Sequence, residues 1–270
     1  MMECSAGLAE MATTRGGLSP RRRPAPGRRL LDIQDLHCRR GDGVRAYHVA
    51  LPDLRLATGE VIALTGASGS GKSTLLEVLG LAAPPARAGR FLWYGGEGAL
   101  DLVALWQRGT ERRLAGLRAA RIGFVMQTGG LLPFLTVREN LLINRRLLGM
   151  PEEDDHVALI VDSLELGDLL GALPAALSVG QQQRASIGRA LAHQPALLLA
   201  DEPTSALDPR LADRVLSLLL DLARRSGTAV VLATHEQGRV RSLALRRFAA
   251  ELEPAADDAP PAARFVEPAA

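Results

Sequence analysis

The chain contains the stretch Val61-Ile-Ala-Leu-Thr-Gly-Ala-Ser-Gly-Ser-Gly-Lys-Ser-Thr-Leu-Leu-Glu-Val-Leu79. Its first residues form an apolar run typical of a buried strand, and the residues from Thr74 onward have the pattern of a helix. The glycines between them allow backbone N–H groups to curl around phosphate oxygens, and Ser73 can offer a hydroxyl to Mg²⁺. This order of strand, loop and helix predicts a phosphate-binding loop (P-loop) for a nucleoside triphosphate. We assign nucleotide binding to Gly66, Ala67, Ser68, Gly69, Ser70, Gly71, Lys72, Ser73 and Thr74.

Lys72 is the only lysine of the chain, although lysine and arginine together number 32. At this position of a P-loop, the side chain reaches the β- and γ-phosphates as a compact point charge on a flexible stem. A planar guanidinium does not suit that task. The chain therefore keeps an ammonium group at the one place where the P-loop interpretation requires it.

The composition is typical of one sizeable α/β domain or two small ones. The chain has 270 residues, of which 47% are hydrophobic and 3% aromatic, so we expect a core made mainly of Leu, Ala and Val. The two cysteines, Cys4 and Cys38, show neither metal-binding spacing nor a disulfide framework, which favours a reducing compartment. Because no apolar run approaches the roughly 20 residues that cross a bilayer, we expect a soluble protein that is at most peripheral to a membrane.

Both ends of the chain differ in composition from its centre. Residues 1–29 carry six arginines against two glutamates, with prolines and glycines between them. We expect a disordered, solvated extension here, and an anchor to anionic lipid headgroups is the alternative. Residues 251–270 are rich in alanine, proline and acidic side chains, which predicts a loose tail in which Ala263–Val266 could pair back as a short strand.

The hydrophobic pattern predicts two kinds of strand in the ordered part of the chain. Leu31–Leu36 and Tyr47–Leu56 alternate like half-buried antiparallel strands. Leu197–Ala200 and Ala229–Ala233 are continuous apolar runs, as expected for central parallel strands that are covered on both faces.

Two carboxylates, Asp201 and Glu202, directly follow one of these apolar runs. The carboxyl end of a parallel strand faces the ligand crevice of an α/β sheet. There, one carboxylate can hold Mg²⁺ through its water shell, and the next can orient and polarise the attacking water. We assign the metal to Asp201 together with Ser73, and general-base catalysis to Glu202.

A second motif, Leu177-Ser-Val-Gly-Gln-Gln-Gln-Arg184, precedes a helical segment. Ser178 and Gly180 at the start of that helix offer a hydroxyl and backbone N–H groups to an anion, assisted by the helix dipole. Taken alone, this pattern indicates only an N-capped helix. After a P-loop, it resembles the signature motif of the ATP-binding cassette (ABC) ATPases, which separates that family from other P-loop proteins.

Further features follow in the order of the ABC family. Gln127 resembles the Q-loop glutamine, Ser205-Ala-Leu-Asp208 the D-loop, and His235 the switch histidine. The resemblance covers about Leu30 to Glu236 and places an ABC ATPase domain at 30–250. It implies an α/β fold: a P-loop NTPase core with a parallel central sheet, an N-terminal antiparallel β subdomain and an inserted helical subdomain at about 128–180.

The resemblance also implies a pair of chains, head to tail, with two ATP molecules and their Mg²⁺ ions between them. Each ATP would lie on Lys72 and Ser73 of one chain and be closed by Ser178 and Gly180 of the other. Glu202 would act as the base toward water. A single copy, with one P-loop and one signature, would not complete a site.

The remaining site residues carry over from the family in the same way. His235 would hold the γ-phosphate, and Gln127 would sense Mg²⁺ as a ligand and relay closure to a membrane partner. Gln181 and Asp208 are assigned to nucleotide binding.

Three departures from the family pattern affect this interpretation. Val179 replaces a glycine of the signature. Arg40 stands about where the family places an aromatic residue that stacks on adenine, and either the Arg40 plane or Tyr47 could take that place. After Glu236 the usual continuation is missing, so the sequence does not indicate how the C-terminal part is regulated.

Within the family, Leu114–Arg118, Ile122–Gln127 and Leu131–Leu141 resemble the lipoprotein-releasing, macrolide-efflux and cell-division ATPases. Leu131, Leu132 and Phe134 could line a groove that receives a permease helix, or they could be ordinary core residues.

We therefore interpret the chain as the ATP-binding and ATP-hydrolysing subunit of an ABC membrane complex with a separately encoded permease. We expect a homodimer that is cytoplasmic and peripheral on the inner face of the cell membrane. A non-transport mechanotransmission ATPase of the cell-division type is an alternative that the sequence does not separate. A soluble ABC ATPase that acts on nucleic acid or ribosomes is disfavoured, because the chain has no second cassette and no basic face with interleaved aromatics, so no nucleic-acid partner is expected.

Overall fold

The computed structural model describes residues 27–41, 46–96, 98–127, 130–253 and 262–268. The strands are β1 Arg29–Arg40, β2 Tyr47–Ala57, β3 Val61–Thr65, β4 Arg90–Gly96, β5 Gly98–Asp101, β6 Ile122–Val125, β7 Leu197–Asp201, β8 Ala229–Thr234, β9 Arg246–Glu253 and β10 Ala262–Val266. The helices are α1 Lys72–Leu79, α2 Leu102–Gln107, α3 Glu111–Arg121, α4 Val137–Leu147, α5 Asp155–Ser163, α6 Val179–Ala192, α7 Pro209–Arg225 and α8 Gln237–Ser242.

A mixed sheet runs through the described part of the chain in the order β5-β4-β1-β2-β10-β9-β3-β8-β7-β6. Strands β9, β3, β8, β7 and β6 are parallel to their neighbours within this group. Residues of β7 alternate between two hydrophobic cores: Leu197 and Leu199 join the core around α1, whereas Leu198 and Ala200 join the core around α6 and α7. This two-sided burial is what the continuous apolar runs predict.

The N-terminal strands form the antiparallel part of the sheet. β1 pairs antiparallel with β2 and with β4, and β4 pairs antiparallel with β5. The alternating patterns at Leu31–Leu36 and Tyr47–Leu56 are therefore β1 and β2, as predicted, although both strands are longer than their patterns.

The C-terminal domain boundary, predicted from the sequence at residue 250, falls inside β9. β10 pairs antiparallel with β9 and parallel with β2, and so joins the parallel and antiparallel parts of the sheet. Phe265 of β10 is fully buried, which makes this strand part of the core. The N-terminal boundary also shifts, because Arg29 already belongs to β1. The rest of the two predicted tails, residues 1–26, 254–261 and 269–270, lies outside the described residues.

Helices α4, α5 and α6 pack together beside the parallel strands. α4 begins with a capping box, in which Thr136 and Glu139 satisfy each other's backbone N–H groups. α5 begins after Asp154, whose carboxylate accepts a hydrogen bond from the Val157 N–H. Residues 128–129 of the predicted helical subdomain lie outside the described residues. No helix of the described part is long and apolar enough to cross a bilayer.

A buried polar cluster lies between these helices. The Arg145 side chain is completely buried and donates to the Ala192 carbonyl at 2.8 Å and to Asp154 at 2.6 Å. His193 is buried nearby, where its Nε2–H donates to the Ile122 carbonyl at 3.2 Å. Burial lowers the pKa of His193 to about 4, and the positive charge of Arg145 acts in the same direction.

Lowering the pH should therefore destabilise the fold through His193. Between pH 6.5, the ordinary pKa of histidine, and about pH 4, the unfolded chain binds a proton that the folded chain excludes. The free energy of unfolding should fall across this window, by about 3 kcal/mol from this residue in full. Urea denaturation at a series of pH values tests this, with His193→Gln as the comparison. An equal pH slope for both proteins would contradict the assignment.

Candidate active site

The carboxyl ends of β3, β6, β7 and β8 meet at one edge of the sheet, where a pocket of about 710 Å³ opens. The pocket also reaches the adjacent ends of β1 and β2. The described residues that line it are Arg40, Gly41, Tyr47, Ala67, Ser68, Gly69, Gly71, Lys72, Ser73, Thr74, Gln127, Asp201, Glu202 and His235. The structure thus brings together most of the site residues that the sequence predicts.

The loop between β3 and α1 requires glycine at its closest contact. Gly71 has φ +87°, and a Cβ placed there would lie 2.2 Å from Val49 Cγ2. Gly69 has φ +79°, a conformation that other residues rarely adopt. These two glycines allow the loop to turn sharply into α1, so that backbone N–H groups at the helix start are directed toward the pocket.

Lys72 is held at the base of this loop. Its Nζ donates to the carbonyl oxygens of Gly66 at 2.9 Å and Ala67 at 3.0 Å. The same atom lies 3.5 Å from Glu202 Oε1, and the lysine side chain is only 6% exposed. The ammonium group therefore occupies a narrow space between the P-loop and the end of β7.

Asp201 is the last residue of β7 and is buried. Burial raises the pKa of its carboxyl group above the ordinary value, a hydrogen bond with Ser73 opposes this shift, and the charge of Glu202 adds to it. One carboxylate oxygen, Oδ1, is buried without a hydrogen-bond partner. A buried oxygen of this kind, beside a hydroxyl group, fits a hard cation such as Mg²⁺.

Glu202 has a strained backbone, with φ +46°. Its N–H donates to the Ala233 carbonyl of β8 at 2.9 Å, which fixes this conformation. Its carboxylate lies between two partners: Oε1 faces Lys72, and Oε2 is 2.9 Å from His235 Nδ1. A positive φ at a residue other than glycine costs about 1–3 kcal/mol, and such residues cluster at active sites. Together with its two partners, this backbone conformation holds the Glu202 carboxylate toward the pocket.

Gln127 lies just beyond β6 and lines the same pocket. Because β6 pairs with β7, Gln127 enters the pocket from the strand next to the one that ends in Asp201. Its neighbour Met126 is 51% exposed on the surface beside the pocket.

The signature residues are not in this pocket. Ser178 caps the start of α6: its N–H donates to Gln181 Oε1 at 2.8 Å, and its Oγ accepts from the Gln181 N–H at 3.3 Å. Gly180 packs against α7, since a Cβ there would lie 2.6 Å from Leu211 Cδ2. Asp208 likewise caps α7 instead of lining the pocket. A single chain therefore presents the predicted site residues on two separate surfaces.

Sequence reasoning left the other end of the pocket undecided. It offered Arg40 and Tyr47 as alternatives, whereas the structure places both residues and Gly41 on the pocket wall. Arg40 Nη1 also donates to Glu77 of α1 at 3.0 Å, a contact between residues 37 positions apart. That spacing carries no local pattern from which the contact could be predicted.

A glycine-rich loop between a parallel strand and a helix, with an acidic pair at the end of a neighbouring strand, defines a P-loop nucleoside triphosphatase. A model of the ABC transporter family matches residues 51–205. The chain belongs to this family, whose ATP-binding subunits hydrolyse ATP.

Relatives of known name support the same assignment. The chain is 39% identical over 193 residues to the lipoprotein-releasing system ATP-binding protein LolD 1 of Rhodospirillum rubrum, which covers 71% of this chain and 81% of that protein. It is 38% identical over 212 residues to LolD of Legionella pneumophila, with 77% and 89% covered. It is 41% identical over 212 residues to the macrolide export ATP-binding/permease protein MacB of Marinobacter nauticus. The aligned residues make up only 31% of that longer protein.

Solved structures show the same fold. A dimeric ATP-binding cassette in a post-hydrolysis state, bound to ADP and Pi, matches with a TM-score of 0.69 and 27% identity. The match covers 82% of this chain and 94% of that structure. The predicted fold class, a P-loop NTPase with a mixed α/β architecture, is confirmed.

Proposed function

We propose that this chain is the ATP-hydrolysing subunit of a membrane complex, and that two copies pair head to tail around two ATP molecules. The observation that carries the proposal is the division of the site residues between two surfaces of one chain. The pocket holds Lys72, Glu202 and His235, whereas Ser178 and Gly180 lie elsewhere at the start of α6. A second chain supplies the missing surface.

Hydrolysis at this site starts with an attacking water beside Glu202. The Glu202 carboxylate accepts a proton from the water while the water oxygen attacks the γ-phosphorus. The bond between the γ-phosphorus and the oxygen that bridges it to the β-phosphate then breaks, and ADP leaves. Lys72 and the P-loop N–H groups stabilise the negative charge on the phosphate oxygens. His235, which already contacts Glu202, holds the γ-phosphate on the other side.

The oxygen atoms of Ser73, Asp201 and Gln127 would hold Mg²⁺. In the described residues, no group of three or more His, Cys, Asp or Glu side chains could bind a metal alone. This suits a cation that keeps waters and shares its coordination with substrate phosphates. When bound there, Mg²⁺ would neutralise charge on the phosphates.

The partner's Ser178 would close the site with its hydroxyl group. In the capping box its Oγ accepts from the Gln181 N–H, so the hydroxyl proton remains available to a phosphate oxygen. Gln181 thus orients Ser178, and the free N–H groups of the first turn of α6 add to anion binding. Asp208 fixes the start of α7, against which Gly180 packs.

Two substitutions in the signature should differ strongly in their effect on ATP turnover. Val179 is 56% exposed and begins α6 with a helical, negative φ, so Val179→Gly should change turnover less than about threefold. Gly180→Asp places a carboxylate at the anion-binding helix start and should lower turnover about 100-fold. ATPase rates of the purified proteins test both expectations.

Gly180→Asn is the matched control, because a side chain at this position also meets Leu211. It has the same size as aspartate without the charge, and it should be clearly more active than Gly180→Asp. Equal losses for both variants would assign the effect to packing between α6 and α7. An inactive wild type that Val179→Gly activates would show that the chain is a degenerate subunit and needs an intact partner.

We further propose that a separately encoded integral membrane permease docks beside Gln127, which places the complex on the inner face of the cell membrane. Support comes from apolar side chains on the surface that follows β6. Phe134 is 73% exposed and Met126 is 51% exposed, and Leu131 and Leu132 are partly buried. The Leu132 N–H donates to Asn140 of α4. Contiguous exposed apolar patches mark interaction surfaces, and we infer that these side chains form such a patch.

A cysteine introduced at Phe134 should cross-link to an integral membrane protein in membranes of cells that express the complex. Leu252→Cys is the control, since Leu252 is 64% exposed on β9, in a different part of the sheet. Cross-linked products are identified by mass spectrometry. Products that contain only soluble proteins, or equal capture from both positions, would contradict the docking surface.

A further inference from the structure

The pocket has two chemically different ends. Gln127, Asp201, Glu202 and His235 lie at the ends of β6, β7 and β8, on one side of β3 in the sheet. The ends of β1 and β2 line the pocket on the other side of β3. With the γ-phosphate at the acidic end and the remaining phosphates on the P-loop, the base of the nucleotide extends toward β1 and β2.

Arg40 is an exposed side chain at this base end, and its guanidinium group has donors beyond the one that binds Glu77. The Arg40 side chain is 61% exposed, and its Nη1 donates to Glu77 Oε1 at 3.0 Å. Tyr47 contributes its ring, which packs against the P-loop at Gly71. Its hydroxyl oxygen has no hydrogen-bond partner but is buried, so Arg40 is the residue that offers accessible donors. Glu77 therefore fixes one edge of the Arg40 guanidinium and leaves its face and its other N–H groups for a ligand.

The hydrogen-bonding capacity of Arg40 does not match adenine. Arginine has five N–H donors and no acceptor. Guanine presents two acceptors, N7 and O6, on one edge, and arginine can bind both. Adenine presents the N7 acceptor beside the N6 amino group, which is a donor and faces the arginine donors unfavourably. Stacking on the guanidinium face is available to either purine.

We propose that Arg40 is a specificity-determining residue of this site, and that it makes the site accept guanosine triphosphate at least as well as adenosine triphosphate. This inference rests on the proposed function, because it concerns the base of the same nucleotide. It adds a second substrate, GTP, to the ATP that the family binds. Glu77 takes part as a positioning residue, since it holds the guanidinium through the bond to Nη1.

The test is steady-state hydrolysis of GTP and ATP by the full chain, with kcat and KM measured for each nucleotide. Wild type should show a ratio of kcat/KM for GTP over ATP of one or more. Arg40→Tyr keeps a stacking surface but removes the donors, and it should lower this ratio about fivefold, mainly through the KM for GTP. Arg39→Tyr is the matched control, because Arg39 is the exposed neighbour on β1 and does not line the pocket. This variant should leave kcat/KM unchanged for both GTP and ATP.

The second measurement is equilibrium competition of GTP and ATP against a fluorescent nucleotide diphosphate, which does not depend on turnover. A wild type that hydrolyses neither nucleotide would overturn the proposed function, while competition would still measure the base preference. A wild type that prefers ATP more than about tenfold would overturn the role of Arg40. An equal loss for both nucleotides in Arg40→Tyr would also overturn it, because Arg40 would then contact the ribose or phosphates that GTP and ATP share.

Discussion

Replacing Glu202 by glutamine is expected to lower ATP turnover by at least about 100-fold while ATP still binds. The amide has nearly the shape of the carboxylate, so the strained backbone at φ +46° and the bond from its N–H to the Ala233 carbonyl remain. The amide cannot accept the proton of the attacking water. Because chemistry stops after the site has closed, the variant should accumulate as an ATP-bound dimer on size exclusion.

A comparison with Glu251→Gln separates this effect from a general loss of charge. Glu251 is exposed on β9 and does not line the pocket, so its amide variant should hydrolyse ATP like the wild type. A Glu202→Gln protein that turns over ATP at the rate of the wild type would exclude Glu202 as the base.

The second large effect is expected for Lys72→Arg, which keeps the positive charge but should reduce kcat/KM by about 100-fold or more. The Lys72 ammonium lies within 3.0 Å of two loop carbonyls and 3.5 Å from Glu202, and the side chain is 6% exposed. This narrow space does not accommodate the two additional nitrogens of a planar guanidinium without displacing the loop.

Lys72→Met provides the comparison, because it has a similar length and no charge. We expect arginine and methionine to be similarly inactive, with weaker ATP binding measured by titration calorimetry. If the arginine variant hydrolyses ATP nearly as well as the wild type while the methionine variant does not, charge alone is sufficient and the argument from shape is wrong.

Much of the core of this fold could be predicted from local sequence patterns. The apolar run at β7 and the loop around Gly71 have signals within a few residues, because burial on both faces and positive φ impose local requirements on residue type. Strand β9 was missed for the opposite reason. Its sequence from Arg246 to Glu253 mixes charged and apolar residues without an apolar run. It is held by pairing with β10, the next strand along the chain, and with β3, which is distant in sequence.

The site shows the same limit. The residue types at Asp201 and Glu202 could be assigned, since an acidic pair after an apolar strand is a local feature. The contact of Glu202 with both Lys72 and His235, and its positive φ, arise only when three strands are brought together. The separation of Ser178 from the pocket is likewise a property of the folded chain, although the family resemblance predicts it.

The central claim, a head-to-tail pair, is tested most directly by disulfide cross-linking between two single-cysteine variants. One carries Ser68→Cys on the P-loop and the other Val179→Cys at the signature, two exposed positions. Both carry Cys4→Ser and Glu202→Gln, and burial raises the pKa of Cys38 to about 12, which keeps that thiol unreactive. We predict that a covalent heterodimer forms on oxidation when the two variants are mixed with ATP. Without nucleotide, the yield of this heterodimer should be much lower. Cross-linked dimers of either variant alone, or a mixture in which ATP makes no difference, would contradict the head-to-tail arrangement.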